Sequence, residues 1–179
     1  MTHWPVHLYA ILSQDDCIAD AQGEMPKALM NEADWLYFQR ELDGCALTVL
    51  GRQSHLSAPN SANRRRVVMS RSASGLEARE DAHWWNPEMI PLAAMLERLL
   101  PQGGKVGVPG GQAAFDYFLR EKLDVFHLTR AHDVTLPGGR KVFSTPGTAE
   151  ARLAAAGLAP GEPVVLDRAA NITLTIWSR

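Results

Sequence analysis

The sequence predicts a single-domain α/β protein (residues 1–179) with a mostly parallel central sheet, flanking helices and an antiparallel C-terminal hairpin. Three observations support this prediction. The 179 residues are enough for one domain with a sizeable core. Short apolar runs alternate with amphipathic segments, which is typical of parallel strands joined by helices. Two strand-like runs in the C-terminal tail are separated only by a turn near 169–171, so they are expected to pair.

The elements follow from apolar periodicity and from end signals. The segment 31–44 is predicted to be a helix because Asn31 is a suitable N-cap, acids fill its first turn, and Gly44 can end it. Its apolar face is expected to carry Leu36, Tyr37 and Leu42. Further helices are predicted at 87–100, where Pro91 is tolerated in the first turns, and at 112–122. The segment 14–30 is predicted to be a loop. Strands are predicted at 6–13, 46–51, 65–70, 81–86, 105–110 and 124–131.

Composition excludes several classes of function. Hydrophobic residues make up 46% and charged residues 21%, as in ordinary globular proteins. The formal net charge of −2 does not favour nucleic acid or anionic membrane as a partner. No apolar run reaches the roughly 18 residues of a membrane helix. The N-terminus lacks the basic region of a signal peptide, so it is not expected to be one. The presence of only two cysteines fits a reducing cytoplasm, which is the expected location.

Metal and disulfide chemistry are not expected from the spacing of cysteines and histidines. The two cysteines, Cys17 and Cys45, do not form a CxxC pair. The six histidines are scattered, with no HxxxH or HExxH spacing. Trp84 and Trp85 are predicted to pack in the core, with a dimer contact as the alternative for one of them, so a homodimer stays open.

Small residues end four of the predicted strands, namely Ser13, Gly51, Ser70 and Gly110. In open α/β sheets, ligands bind at the carboxyl ends of the strands. The pair Gly110-Gly111 separates a strand from a helix, where backbone amides can hold an anion or lie against a flat ring. A tight turn is the alternative explanation, and the usual GxGxxG pattern of dinucleotide sites is absent.

Two arginines follow neighbouring strand ends. Arg52 and Ser54 can bind phosphate oxygens, and Ser70 and Arg71 repeat this pattern. Two such arginines can bind a 2′-phosphate, which favours NADPH over NADH. The alternative is that both are solvated surface residues.

Asp34 lies near the start of the helix 31–44 and has two interpretations. It can be a simple partner of the helix dipole, as Glu32 can. Alternatively, it is a partly buried carboxylate with a raised pKa that binds the edge of a heterocycle and serves proton transfer. Spacing in the sequence does not decide between the two.

Six short motifs occur in a fixed order along the chain. They are Met25-Pro26 after the first strand, Asp34 with Phe38, Gly51-Arg52, Met69-Ser70, Gly110-Gly111 with Phe115, and Thr129 in FHLTRA. Taken together, they make residues 6–145 resemble the dihydrofolate reductase superfamily, which includes the reductase domain of riboflavin biosynthesis.

The resemblance implies an NADPH-dependent reductase that transfers hydride to a C=N bond of a dihydropterin-like heterocycle. It implies catalytic roles for Asp34, Thr129 and Met25, and substrate binding by Ile11, Phe38 and Arg64. The peptide between Gly110 and Gly111 is expected to pack against the cofactor and is commonly cis in the family. The implied cofactor-binding residues are Ala10, Ile18, Gly51, Arg52, Gln53, Ser54, Ser70, Arg71, Gly110, Gly111, Gln112, Ala113 and Phe115.

The chain also departs from the family pattern. Lys27 replaces the tryptophan that usually follows the Met-Pro pair, and the loop before Asp34 is long. Arg64 is one of three consecutive arginines, which makes its alignment with the family's glutamate-tail arginine ambiguous. Three alternatives therefore stay open: a riboflavin-pathway-type reductase of a ribosylaminopyrimidine, a dihydromethanopterin reductase, and a nucleotide-binding module without catalysis.

Overall fold

A computed structural model describes all residues from Met1 to Arg179. The order of helices and strands confirms the predicted α/β class. The α-helices are α1 (Glu32–Asp43), α2 (Arg52–Ser57), α3 (Leu92–Leu99), α4 (Gln112–Glu121) and α5 (Ala149–Ala155). The strands are β1 (Val6–Ser13), β2 (Cys17–Ala19), β3 (Leu47–Gly51), β4 (Arg66–Met69), β5 (Leu76–Ala78), β6 (His83–Trp85), β7 (Val106–Gly110), β8 (Val125–Ala131), β9 (Arg140–Lys141), β10 (Ala159–Pro160), β11 (Val164–Asp167) and β12 (Ile172–Ser178).

Ten of the strands form one sheet, in the order β10-β12-β8-β1-β7-β3-β4-β6-β5, with β11 paired to β12. The pairs from β8 through β1, β7, β3 and β4 to β6 are all parallel. The strands at both edges run antiparallel to their neighbours. The C-terminal hairpin is formed by β11 and β12, as the sequence predicted. The carboxyl ends of the parallel strands therefore lie along one edge of the sheet.

The core is continuous between the sheet and its helices. Strand residues such as Val6, Leu8 and Val106 are fully buried, as is Phe118 of α4. Such near-continuous apolar strands are typical of parallel sheets covered on both faces. Trp85 is fully buried in the main core and Trp84 packs in a smaller cluster, so the core interpretation of both is confirmed.

Helix α1 begins and ends as predicted. The side-chain oxygen of Asn31 accepts a hydrogen bond from the backbone N–H of Asp34 at 3.0 Å, and Gly44 is the C-cap. The predicted apolar face was partly wrong. Leu42 is buried, but Leu36 is 55% exposed and Tyr37 is only half-buried. The helix therefore turns a mixed polar and aromatic face inward.

Several element boundaries differ from the prediction. Helix α3 begins only after Pro91, because proline lacks an N–H and disfavours helical backbone in the residue before it. The predicted loop 14–30 contains β2, which pairs with β9, and a 3₁₀ turn at Lys27–Leu29. Helices α2 and α5 were not predicted. No helix is both long and apolar enough to span a membrane.

Candidate active site

A cleft of about 1530 Å³ lies along the carboxyl edge of the sheet. A volume of this size can hold two molecules of ordinary ligand size. It collects eighteen of the nineteen site residues that the sequence singled out. The lining residues among them are Ala10, Ile11, Ile18, Met25, Asp34, Phe38, Gly51, Arg52, Gln53, Ser54, Ser70, Arg71, Gly110, Gly111, Gln112, Ala113, Phe115 and Thr129.

Two predicted positions lie elsewhere. The guanidinium of Arg64 is held by Asp43 at 2.7 Å and by the side chain of Gln39 at 2.8 Å, and Arg64 does not line the cleft. Of the four small residues at strand ends, Ser13 is fully buried and does not line the cleft either. Its hydroxyl donates to Asp15 at 2.6 Å and accepts from the backbone N–H of Cys17 at 2.9 Å. Ser13 therefore shapes the loop that follows β1.

Gly110 and Gly111 form a bare stretch of backbone in the wall of the cleft. Their peptide bond is cis, a point that the sequence left open. Gly110 has φ +137°, a conformation that residues with side chains rarely adopt. A Cβ on Gly111 would lie 3.2 Å from the hydroxyl oxygen of Ser54, and Gly51 also lies beside the peptide. The backbone of Gly110 therefore favours glycine strongly, and a side chain at Gly111 would crowd the Ser54 hydroxyl of α2.

Four arginines line the cleft without an ion-pair or hydrogen-bond partner among the side chains. Arg52 and Arg71 follow β3 and β4, and Arg120 and Arg140 lie on α4 and β9. By contrast, Arg130 is nearly buried and its guanidinium is held by Asp16 at 2.6 Å. The free guanidinium groups give the cleft a positive rim that suits phosphate groups.

Asp34 and Thr129 face each other across the other half of the cleft. Asp34 is half-buried on the first turn of α1, and Thr129 is buried on β8. Loss of contact with water raises the pKa of the Asp34 carboxyl, and the Thr129 hydroxyl partly offsets that rise. This arrangement favours the second interpretation of Asp34, a carboxylate that can bind and exchange a proton inside the cleft.

The loop that carries Met25 is held on its N-terminal side. The carboxylate of Asp15 accepts from the backbone N–H of Leu136 at 3.0 Å, and that of Asp16 accepts from Arg130. Strand β2 pairs with β9 further along. The side chain of Met25 is 44% exposed and lines the cleft. A segment of this kind can close over a ligand while its base stays in place.

The structure also shows a polar cluster that the sequence did not reveal. His7 of β1 and His127 of β8 lie 3.0 Å apart between ring nitrogens, and the hydroxyl of Tyr37 lies 2.5 Å from Nδ1 of His127. The ring of Tyr9 stacks on that of His127 with centroids 4.4 Å apart. Tyr9, Tyr37 and His127 line the cleft beside Asp34. We call these residues, together with His7, the histidine-tyrosine cluster.

Burial controls the charge of the histidine-tyrosine cluster. It lowers the pKa of His127 to about 4, and it also lowers the pKa of His7. Both imidazoles are therefore neutral at neutral pH. Burial raises the pKa of the Tyr37 hydroxyl, which stays protonated. The nearby Glu41 carboxylate is ion-paired with Lys105 at 3.1 Å.

Neither a protein-family model nor a curated protein matches the sequence, but solved structures do. A protein from Shewanella sp. PV-4 assigned to riboflavin biosynthesis is 18% identical with a TM-score of 0.68, and the match covers 98% of both chains. A dihydrofolate reductase from Enterococcus faecalis, complexed with NADP(H) and RAB-propyl, is 18% identical with a TM-score of 0.66. That match covers 98% of this chain and 96% of the other.

A third similar structure belongs to a longer protein. It is the diaminohydroxyphosphoribosylaminopyrimidine deaminase/5-amino-6-(5-phosphoribosylamino)uracil reductase of Thermotoga maritima, 15% identical with a TM-score of 0.68. The match covers 97% of this chain and 56% of that one. At these identities the comparisons establish the architecture alone. The chain therefore has the dihydrofolate reductase-like fold.

Proposed function

We propose that this chain is an NADPH-dependent reductase that transfers hydride to a C=N bond of a dihydropterin-like heterocycle. One observation carries the proposal: the cleft places the half-buried Asp34 carboxylate in one half and the bare Gly110-Gly111 backbone in the other. A proton-exchanging carboxylate and a surface for a nucleotide are the two parts that such a reduction needs.

The cofactor half fits NADPH chemically. Gly110 and Gly111 have no side chains and line the cleft, so a ligand can approach their backbone closely. Arg52 and Arg71 have no protein partner and can bind the phosphate groups, including a 2′-phosphate. When bound, NADPH supplies the hydride, and the protein supplies orientation and electrostatics.

The substrate half fits a flat heterocycle with an amino-pyrimidine edge. Asp34 would bind this edge and promote protonation of the ring nitrogen, and Thr129 would hold the carboxylate in place. Phe38 lines the same half and would pack on the ring. Met25 and Pro26 would exclude water when the loop closes.

A second candidate is the riboflavin-pathway-type reduction of a ribosylaminopyrimidine. Arg64 is occupied by Asp43 and Gln39 and lies outside the cleft, so no arginine at that position is free to bind a glutamate tail. This favours substrates without such a tail over dihydrofolate itself. A phosphorylated substrate would need a cation near the mouth, and Arg140 is free there.

The test is NADPH oxidation followed by absorbance, with dihydrofolate, a simple dihydropterin and a ribosylaminopyrimidine as substrates. The wild type is compared with Asp34→Asn and with Glu32→Gln, which makes the same carboxylate-to-amide change at an exposed position of α1. We expect Asp34→Asn to lose most turnover while NADPH binding, measured by fluorescence, stays nearly unchanged, and Glu32→Gln to behave as wild type. Full turnover in Asp34→Asn would refute the assigned role of Asp34.

A further inference from the structure

Helix α1 and strand β8 face each other with two matched pairs of side chains. Asp34 faces Thr129, and Tyr37 contacts His127 with 2.5 Å between the hydroxyl and Nδ1. Tyr37 is three residues after Asp34 on the helix, and His127 is two residues before Thr129 on the strand. These steps correspond to about 4.5 Å along a helix and about 6.6 Å along a strand. The second pair therefore lies beside the first, at a distance that one substituted ring can bridge.

The second pair is part of a hydrogen-bonded chain of neutral groups. Nε2 of His127 lies 3.0 Å from Nδ1 of His7, so one proton is shared in each of the two contacts of His127. If His127 donates through Nδ1, the Tyr37 hydroxyl proton is free to point into the cleft. If Tyr37 donates to Nδ1 instead, its oxygen is free to accept. The same hydroxyl can thus be a donor or an acceptor, depending on the tautomer of His127.

The surroundings of His7 and His127 favour a hydrogen-bonding role for these two side chains over a metal centre. His7, His127 and Glu41 bring their ring nitrogens and carboxylate oxygen within 4.8 Å of one another, but the nitrogens of His7 and His127 are only 3.0 Å apart and in hydrogen-bond contact. Glu41 already accepts from Lys105 at 3.1 Å and from the hydroxyl of Tyr9 at 3.2 Å. An anionic substituent on the substrate ring would lie near the carboxylates of Glu41 and Asp34, with no unpaired cation beside them. A neutral polar substituent is therefore the partner that fits.

We propose that the Tyr37 hydroxyl, positioned by His127 and His7, is a second hydrogen-bonding contact to the substrate next to Asp34, for a neutral amino or oxo substituent of the ring. The inference rests on the proposed function, because it assumes that the heterocycle binds at Asp34. Tyr37 touches the substrate, whereas His127 and His7 act through Tyr37.

The test uses two bicyclic heterocycles of the same shape that differ at one substituent. Pterin has an amino group where lumazine has an oxo group. Calorimetry measures the affinity of each for the NADPH-saturated protein, for the wild type, Tyr37→Phe and Tyr117→Phe. The Tyr117 variant is the matched control, because the Tyr117 hydroxyl on α4 makes no hydrogen bond in the structure. Thermal melting shows that each variant is folded.

We expect Tyr37→Phe to weaken both pterin and lumazine by about three- to ten-fold, the effect of one neutral hydrogen bond, with Tyr117→Phe unchanged. His127→Phe alone is expected to weaken the binding of both compounds. Combined with Tyr37→Phe, it is expected to have no further effect, because His127 acts through Tyr37. Equal affinities in the wild type and Tyr37→Phe would overturn this inference alone. Failure of pterin to bind the wild type would refute the proposed substrate class, and this inference with it.

Discussion

Acid is expected to destabilise this protein through His127. The imidazole is 5% exposed, and burial lowers its pKa from the ordinary 6.5 to about 4. Its other neighbours act in both directions: His7 and Lys105 lower the pKa further, and Glu41 raises it. The unfolded chain therefore takes up a proton near pH 6.5, whereas the folded chain does so only near pH 4. Stability is lost as the pH falls through this window.

The size of the stability loss follows from the shift in the pKa of His127. A change of about 2.5 pH units at about 1.4 kcal/mol per unit corresponds to a loss of about 3 kcal/mol near pH 4, relative to neutral pH. The pKa of His7 is lowered as well, which adds in the same direction. With a urea dependence of about 2 kcal/mol per molar, His127 alone moves the unfolding midpoint by about 1.5 M.

The assay is urea unfolding, followed by tryptophan fluorescence, at several values between pH 7 and pH 4. Carboxylates also contribute to acid unfolding, so the useful quantity is the difference between variants. His127→Gln keeps a polar side chain but cannot titrate, and His3→Gln removes an exposed histidine as the control. We expect the wild type and His3→Gln to lose stability more steeply than His127→Gln. Parallel curves for the wild type and His127→Gln would refute the argument.

Three further outcomes are expected. Gly111→Ala places a Cβ 3.2 Å from the Ser54 hydroxyl oxygen and should weaken NADPH binding, measured by fluorescence titration, by about tenfold or more. Reductase activity should fall as the pH rises through the raised pKa of the Asp34 carboxyl, because the protonated form is lost; Asp34→Asn should remove this step from the pH profile of kcat/KM. Arg130→Met leaves the Asp16 carboxylate without its cation and should lower the free energy of unfolding by about 3–5 kcal/mol, measured by chemical denaturation.

Much of the cleft could be predicted because its residues lie at strand ends. Gly51 and Gly110 end their strands and Ser70 follows another, and parallel pairing brings those ends to one edge of the sheet. The same reasoning did not extend to Ser13, whose hydroxyl is used inside the loop after β1. A strand end therefore predicts the edge of the sheet on which a residue lies, but not the direction of its side chain.

The three consecutive arginines show where residue identity stops being informative. Arg64 reaches Asp43, Arg65 donates to the carbonyl of Leu99, and Arg66 donates to the carbonyl of Ala58. Each guanidinium thus has a different partner, set by the direction of the backbone at that point. Because the three residues are of the same type and adjacent, the sequence does not indicate which partner each guanidinium has.

The histidine-tyrosine cluster was missed for a different reason. His7 and His127 are separated by 120 positions, and they meet because β1 pairs in parallel with β8, with His7 opposite Val125 and Tyr9 opposite His127. Spacing rules for metal and proton-transfer sites apply to short separations. The alternation of strand side chains places His7, Tyr9 and His127 on one face only after the register is known.

The placement of the proposed substrate contacts depends on a part of the chain that is remote in sequence. Asp34, Tyr37, Phe38 and Glu41 follow the spacing of one helix face, so the orientation of α1 sets all four together. The N-cap residue Asn31 fixes the start of α1, and its side-chain amide also donates to Asp167 of β11 at 3.0 Å. The C-terminal hairpin therefore anchors the helix that faces the proposed substrate, whereas the opposite wall, with Gly110 and Ser54, lies on β7 and α2.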